Sequence, residues 1–104
     1  MLTRNQQNNI AISAMHLVQY ERVKQAAKWG TEDSLIERGG FDNYIYNKLG
    51  VLMEEVGEWA REINEKGHLT RSPNFLNEIV QVTAVGIAIV EGILAAEALS
   101  EQTD

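Results

Sequence analysis

Residues 72–100 read SPNFLNEIVQVTAVGIAIVEGILAAEALS, a stretch long and apolar enough to form the central helix of the protein. Pro73 suits the first helical position, which needs no N–H donor, and Ser72 before it can cap the helix. Apolar residues then follow around the whole circumference rather than along one stripe. A helix of this kind must be covered on every side, so the segment predicts a buried helix.

The same segment also has the length of a membrane-spanning helix. A transmembrane helix needs about 20 consecutive residues with few or no charges. Polar and charged residues interrupt residues 79–99 at Gln81, Thr83, Glu91 and Glu97. These interruptions favour a buried helix of a soluble protein and predict no membrane partner.

Two further segments carry apolar residues at helical spacing. Residues 8–29 predict a first helix that Gly30 ends, with a loop over residues 31–42. Residues 42–66 predict a second helix, capped by Asp42 or Asn43 at its start and by Gly67 at its end. The sequence therefore predicts one all-α domain over residues 1–104, an antiparallel bundle of three main helices.

Two helices are not enough to cover a third that is apolar on all sides. We therefore expect a second copy of the chain to complete the bundle, as a homodimer or homotetramer. Glu91 stands inside the apolar helix, where an unpaired charge is costly. We expect it to pair with a cation across the interface between subunits.

Composition narrows the class of protein. A length of 104 residues suits a single domain, and the net charge of −6 argues against a nucleic-acid partner. The chain has no cysteine, which excludes disulfides, a thiolate zinc site and a cysteine nucleophile. The polar first nine residues have no signal-peptide pattern, so a cytoplasmic location is expected.

Acidic residues crowd one face of the second helix. Glu54 has Glu58 at i+4, and Glu58 has Glu62, whereas a stable exposed face usually alternates charge signs. Gly50 and Gly57 lie between the acidic and apolar faces, where each costs about 1 kcal/mol relative to alanine. That cost suggests the close approach of another helix or a ligand. The alternative interpretation is an ordinary solvated face, because glutamate is a good helix former.

An acidic residue on the third helix strengthens the ligand interpretation. Glu78 can face Glu54, Glu55 and Glu58 if the second and third helices run antiparallel. Carboxylate oxygens from two helices form a hard-oxygen site of the kind that Mg²⁺ prefers, with Mn²⁺ as a substitute. Such an ion can neutralise a triphosphate and lower the pKa of an attacking water.

These residues resemble the MazG-like, all-α nucleoside triphosphate pyrophosphohydrolases. The family pattern EExxE is matched by Glu54, Glu55 and Glu58, and the first position of the following ExxD by Glu78. Residues 28–30 (KWG) and 78–82 (EIVQV) add to a resemblance that spans roughly residues 15–95. It implies a Mg²⁺-dependent hydrolase that converts a (d)NTP to a monophosphate and pyrophosphate, with Glu55 and Glu58 as its catalytic residues.

The resemblance implies metal ligands at Glu54, Glu55, Glu58 and Glu78, and at Gln81 where the family has aspartate. A glutamine offers a carbonyl oxygen without charge, which weakens Mg²⁺ binding. The alternative function is therefore a catalytically silent helical module that binds a nucleotide or a protein partner.

Four residues are candidates for substrate binding. Lys28, Lys48 and Arg71 can meet phosphate oxygens, and Trp29 can stack on a base. Two of them also have an ordinary structural interpretation. Lys28 could lie on a solvated basic face, and Trp29 could pack against the end of the first helix.

Overall fold

The computed structural model describes residues 1–66 and 73–102, and within these ranges the regular secondary structure is helical throughout. Four helices follow one another: α1 (Arg4–Trp29), α2 (Glu32–Gly39), α3 (Phe41–Lys66) and α4 (Pro73–Gln102). The all-α prediction is confirmed. The three long helices lie within a few residues of their predicted bounds.

The helix ends follow local capping chemistry. Thr3 and Gln6 form a reciprocal capping box at the start of α1. Gly30 ends α1 at a φ of 100°, and its N–H donates to the Ala26 carbonyl at 2.8 Å, as the prediction of a glycine stop requires. α4 begins at Pro73, as predicted. The proposed caps Ser72 and Gly67 lie outside the described residues.

The predicted loop over residues 31–42 is wrong, because an eight-residue helix, α2, occupies most of it. Gly40 ends α2 at a φ of 86°, and its N–H donates to the Ile36 carbonyl at 2.7 Å. α3 then begins at once with Phe41, so the predicted cap at Asp42 or Asn43 is also wrong. The Asn43 amide instead donates to the Gly39 carbonyl at 2.8 Å, at the end of α2.

α4 is the central element, and α1, α2 and α3 all pack on it. α3 runs antiparallel to α4: Trp59 meets Phe75 at a ring distance of 5.8 Å, and Tyr44 meets Ala88 near the other end. α1 runs in the same direction as α4. Early residues such as Leu17 lie beside the start of α4, and the later Arg22 bonds to Glu91.

The described part of the chain has a small core. Its buried apolar residues are Ile36, Tyr44, Ala84, Val85 and Ala88. The radius of gyration is 16.5 Å, against about 13 Å for a compact domain of this length. One face of α4 stays open to solvent, with Ile87 at 41%, Val90 at 54% and Leu94 at 58% exposure. The other helices therefore leave α4 partly uncovered, as the sequence predicted.

α4 also has the length and composition of a membrane-spanning helix, over residues Asn74–Gln102. The core helix of a soluble protein passes the same test of length and composition, but such a helix is mostly buried, whereas 22% of this apolar stretch is buried here. The interpretation of α4 as a helix of a soluble protein stays a prediction.

The close approach that was expected at Gly50 and Gly57 occurs at a different glycine. Among the described residues, no atom lies within 4 Å of a Cβ built on Gly50 or Gly57, so the predicted close approach to those two glycines is not made within the chain. The close approach occurs at Gly92 instead, where an added Cβ would overlap the ring of Tyr44. This contact sets the tight packing of α3 on α4.

Candidate functional site

A cleft of about 370 Å³ runs between α1 and α3 with α4 as its floor, and we call it the main cleft. Its lining residues are Glu21, Lys24, Gln25, Lys28, Trp29, Val51, Glu55, Gln81 and Val85. Acidic side chains come from α1 and α3, and basic side chains from the last turns of α1. The main cleft therefore brings together, from three helices, residues that are far apart in the sequence.

A second cleft of about 440 Å³ adjoins the first and shares Gln25, Trp29, Val51, Glu55 and Val85 with it. We call it the side cleft. Its remaining lining residues are Leu35, Arg38, Asn47, Lys48 and Glu54. Leu35 and Arg38 belong to α2, the helix that the sequence analysis missed, so the side cleft could not have been anticipated from the predicted loop.

Glu55 lies where the acidic side chains converge. Burial raises the pKa of its carboxyl group, and the charges of Glu58, Glu54, Glu21 and Glu78 raise it further. Its Oε2 atom is buried and has no hydrogen-bond partner among the described residues. A buried carboxylate oxygen without a donor is costly and fits a site that receives a cation or a proton.

The predicted ligands take different positions around Glu55. Glu54 is exposed and lines the side cleft, whereas Glu58 and Glu78 are half-buried. Gln81 lines the main cleft together with Glu55. Glu21, on α1, contributes a carboxylate that sequence reasoning did not assign to the site; helical spacing within α3 gives no signal for a residue on another helix.

The donor set fits a hydrated divalent cation better than a fully protein-ligated one. In the described residues, no group of three or more acidic or histidine side chains is arranged to hold a metal ion directly. Mg²⁺ usually keeps several waters and binds through one or two carboxylates together with phosphate oxygens. The orphaned Oε2 atom of Glu55, with four carboxylates around it, is compatible with that mode.

The candidate substrate-binding residues that the structure describes all line the clefts. The Lys28 ammonium lies 4.8 Å from the centre of the Trp29 ring, and both side chains line the main cleft. Trp29 is 47% exposed, which leaves its ring accessible for stacking. Lys48 lines the side cleft. Arg71 lies outside the described residues.

Next to the clefts lies a polar cluster, buried except for the half-exposed Glu91, that we call the Arg22 network. Its members come from all four helices and are Arg22, Gln25, Glu32, Tyr44, Lys48 and Glu91. The Arg22 side chain donates to Glu91 at 2.9 Å, to Gln25 at 3.0 Å and to Glu32 at 3.2 Å. Two cations and two carboxylates are thus joined in one place, and their charges balance.

The network corrects one prediction. Glu91 pairs with Arg22 of its own chain, whereas the sequence predicted a cation from another subunit. Burial disfavours the charge on Arg22, but its bonds to Glu91 and Glu32 outweigh that penalty and raise its pKa. Sequence periodicity could not reveal this pair, because Arg22 and Glu91 are separated by 69 positions.

Tyr44 and Lys48 join the network from α3. The Tyr44 hydroxyl donates to Glu32 and lies 2.8 Å from the Ala88 carbonyl oxygen. Burial and the bond to Glu32 raise the pKa of Tyr44 strongly, so this hydroxyl stays protonated. The Lys48 ammonium lies 3.4 Å from Glu32, which partly neutralises a candidate phosphate-binding residue.

Searches against protein-family models, curated proteins and solved structures returned no significant match to this chain.

Proposed function

We propose that this protein is a Mg²⁺-dependent nucleoside triphosphate pyrophosphohydrolase of the MazG-like type, which hydrolyses a (d)NTP to a (d)NMP and pyrophosphate. The observation that carries the proposal is the position of Glu55. Its carboxylate is partly buried, surrounded by four others and placed in the main cleft across from Lys28 and Trp29. Glu55 thus joins a crowded group of carboxylates to a cleft whose lining also holds groups that suit a nucleotide.

The acidic residues and Gln81 would have two roles, binding the metal ion and accepting a proton. Glu54, Glu55, Glu58 and Glu78 would hold Mg²⁺ or its waters, with Gln81 as a neutral oxygen donor. When bound, Mg²⁺ neutralises phosphate charge and makes a water more acidic. Because its pKa is raised, the Glu55 carboxylate is a better proton acceptor at neutral pH than an ordinary glutamate. Glu55 or Glu58 would accept the proton of the water that attacks the α-phosphate.

The opposite wall of the cleft suits the rest of the nucleotide. Lys28 supplies a positive charge for phosphate oxygens, and Trp29 supplies an aromatic face. Lys48 and Arg71 complete the proposed phosphate contacts. The main cleft is large enough for the phosphates with their waters, and the side cleft adds about 440 Å³ beside it.

The proposal includes a second copy of the chain. The exposed positions Ile87, Val90 and Leu94 follow a 3–4 spacing along α4, which is the pattern of a helix that packs on another helix. A homodimer or homotetramer in the cytoplasm would cover this stripe. Analytical ultracentrifugation across a wide concentration range tests this part, and a monomer throughout would contradict it.

The experiment for the activity measures pyrophosphate release from a panel of (d)NTPs with Mg²⁺ or Mn²⁺. We expect release from at least one nucleotide, and loss of release in Glu55→Gln and Glu58→Gln. Glu65→Gln is the matched control, because Glu65 is an exposed residue of the same helix and lines neither cleft. Absence of release from the whole panel would reject the proposal.

A second candidate function is a silent module that binds nucleotide or a protein partner without turnover. Two observations favour it: the neutral Gln81 in the main cleft, and the lack of a directly ligating group of three acidic side chains in the described residues. The variant Gln81→Asp distinguishes the two. A large rise in pyrophosphate release would show that Gln81 limits the site, and a loss would show that Gln81 is part of a working enzyme. Calorimetric binding of nucleotide without product would support the silent module.

A further inference from the structure

Gln25 connects the Arg22 network to both clefts. Its side chain is 7% exposed, and it lines the main cleft and the side cleft. Its Oε1 atom accepts a hydrogen bond from Arg22 at 3.0 Å. A buried amide at the junction of two clefts, held by a charged partner, is an arrangement typical of a recognition group.

The bond to Arg22 fixes which end of the amide faces the ligand. A guanidinium group has only donors, so it can bind the carbonyl oxygen of Gln25 and never the amide nitrogen. Arg22 is itself held by Glu91 and Glu32 and cannot easily turn away. The Gln25 Nε2 group is the other end of that amide, and it stays available as a hydrogen-bond donor on a residue that lines both clefts.

The side cleft combines apolar lining residues that can contact a ring with polar and charged ones. Leu35, Val51 and Val85 supply apolar walls, and the Trp29 ring stands where the two clefts meet. Asn47 is a further polar group on the lining. Small-molecule sites commonly combine apolar walls with a few fixed polar groups that set specificity.

We propose that the side cleft receives the nucleobase of the substrate, and that the Gln25 amide selects it by donating to a ring nitrogen or carbonyl oxygen. Arg22 acts as a positioning residue, because it holds the amide in the donor orientation. The proposal rests on the proposed function in one respect only, the nucleotide as ligand. A base that presents an N–H group at this point is rejected, since two donors would face each other in a buried site.

The test compares one protein change with one ligand change. The probes are the α,β-methylene form of the best-bound nucleotide and its deaza analogues, in which one ring nitrogen is replaced by C–H. Binding is followed by calorimetry, which needs no turnover. We expect one deaza analogue to bind wild type about tenfold more weakly, and Gln25→Ala to bind that analogue and the parent nucleotide equally. For a base that is recognised through a carbonyl oxygen, the thio-carbonyl analogue takes the place of the deaza analogue.

Two variants separate recognition from folding. Gln25→Glu keeps an acceptor for Arg22 but turns an acceptor toward the base, so we expect it to weaken binding by about tenfold or more without loss of the folded state. Gln19→Glu adds the same charge on an exposed position of α1 and should bind like wild type. For the positioning role, Arg22→Lys should reduce the discrimination between parent and analogue, an effect that a general loss of stability does not produce.

The outcomes are distinguishable from those of the activity test. If wild type binds nucleotides with discrimination that depends on Gln25 but releases no pyrophosphate, the enzymatic function fails and this inference stands. If wild type releases pyrophosphate while Gln25→Ala discriminates between parent and analogues as wild type does, this inference is overturned and the function stands. If wild type binds no nucleotide, both are overturned.

Discussion

The Arg22 network and the carboxylate group around Glu55 are both partly buried clusters of charged side chains, and both join α1, α3 and α4. They differ in charge balance. The network sets Arg22 and Lys48 against Glu32 and Glu91, with hydrogen bonds to most of its polar atoms. Around Glu55 negative charge accumulates, and one carboxylate oxygen has no donor within the described chain. The charges of the first cluster balance within the chain, whereas the second has an excess of negative charge that a cation or a proton from solution can offset.

Replacing one glutamate by glutamine in each cluster tests the difference between them. We expect Glu32→Gln to have the larger effect on stability. It leaves the buried Arg22 and Lys48 with one carboxylate between them, so we expect a loss of about 3 kcal/mol in the free energy of unfolding. Urea denaturation followed by circular dichroism measures it. A loss below about 1 kcal/mol would show that the network is hydrated and contributes little.

Tyr44→Phe removes one hydroxyl from the network and leaves the packing of the ring in place. The Glu32 carboxylate then loses a donor, so we expect a loss of about 1–2 kcal/mol in the free energy of unfolding. The same denaturation experiment serves here. Equal stability of Tyr44→Phe and wild type would mean that water replaces the hydroxyl.

Adding Mg²⁺ should act on the other cluster alone. At a concentration tenfold above the dissociation constant, a ligand that binds only the folded state stabilises it by about 1.4 kcal/mol. We expect Mg²⁺ to raise the melting temperature of wild type and of Glu32→Gln, but not of Glu55→Gln. Equal shifts in all three proteins would show that the effect is general ionic screening, and Na⁺ at matched ionic strength is the control.

Glu55→Gln should have the smallest effect on stability and the opposite sign from Glu32→Gln. The pKa of Glu55 is raised in the folded state, so its contribution to stability is present below the ordinary pKa of 4.5 and is lost as the pH rises through the raised value. Removal of the carboxylate should therefore stabilise the metal-free protein at neutral pH by about 0.5 kcal/mol. It should also flatten the fall in stability between acidic and neutral pH.

That last prediction is checked by thermal melts from pH 4 to pH 8, on a grid fine enough to follow the transition. A destabilised Glu55→Gln would show that the carboxylate makes structural bonds in the folded chain. In that case both clusters would stabilise the fold, and the comparison between them would fail.

The sequence predicts the features that depend on residues close together in the chain, and it does not predict those that depend on how the helices pack. The long helices were predictable because periodicity, Gly30 and Pro73 act within a few residues. α2 lies within the predicted loop over residues 31–42, where Gly40 in fact ends a short helix. The crowding of Glu54 and Glu58 near Glu55 followed from helical spacing. The parts contributed by Glu21, Gln25 and Glu91 depend on how helices pack, which no local pattern encodes.

The contact between Tyr44 and Gly92 has a consequence for the alignment of α3 and α4. A helix that packs on another by apolar contacts alone can slide by one turn, about 5.4 Å, into a similar set of contacts. The positions one turn away from Gly92 are Ala88 and Ala96, and each carries the Cβ that Gly92 lacks. The surface of α4 therefore accepts the Tyr44 ring at Gly92 and not one turn to either side. It is in this register that Glu55 faces Gln81 across the main cleft.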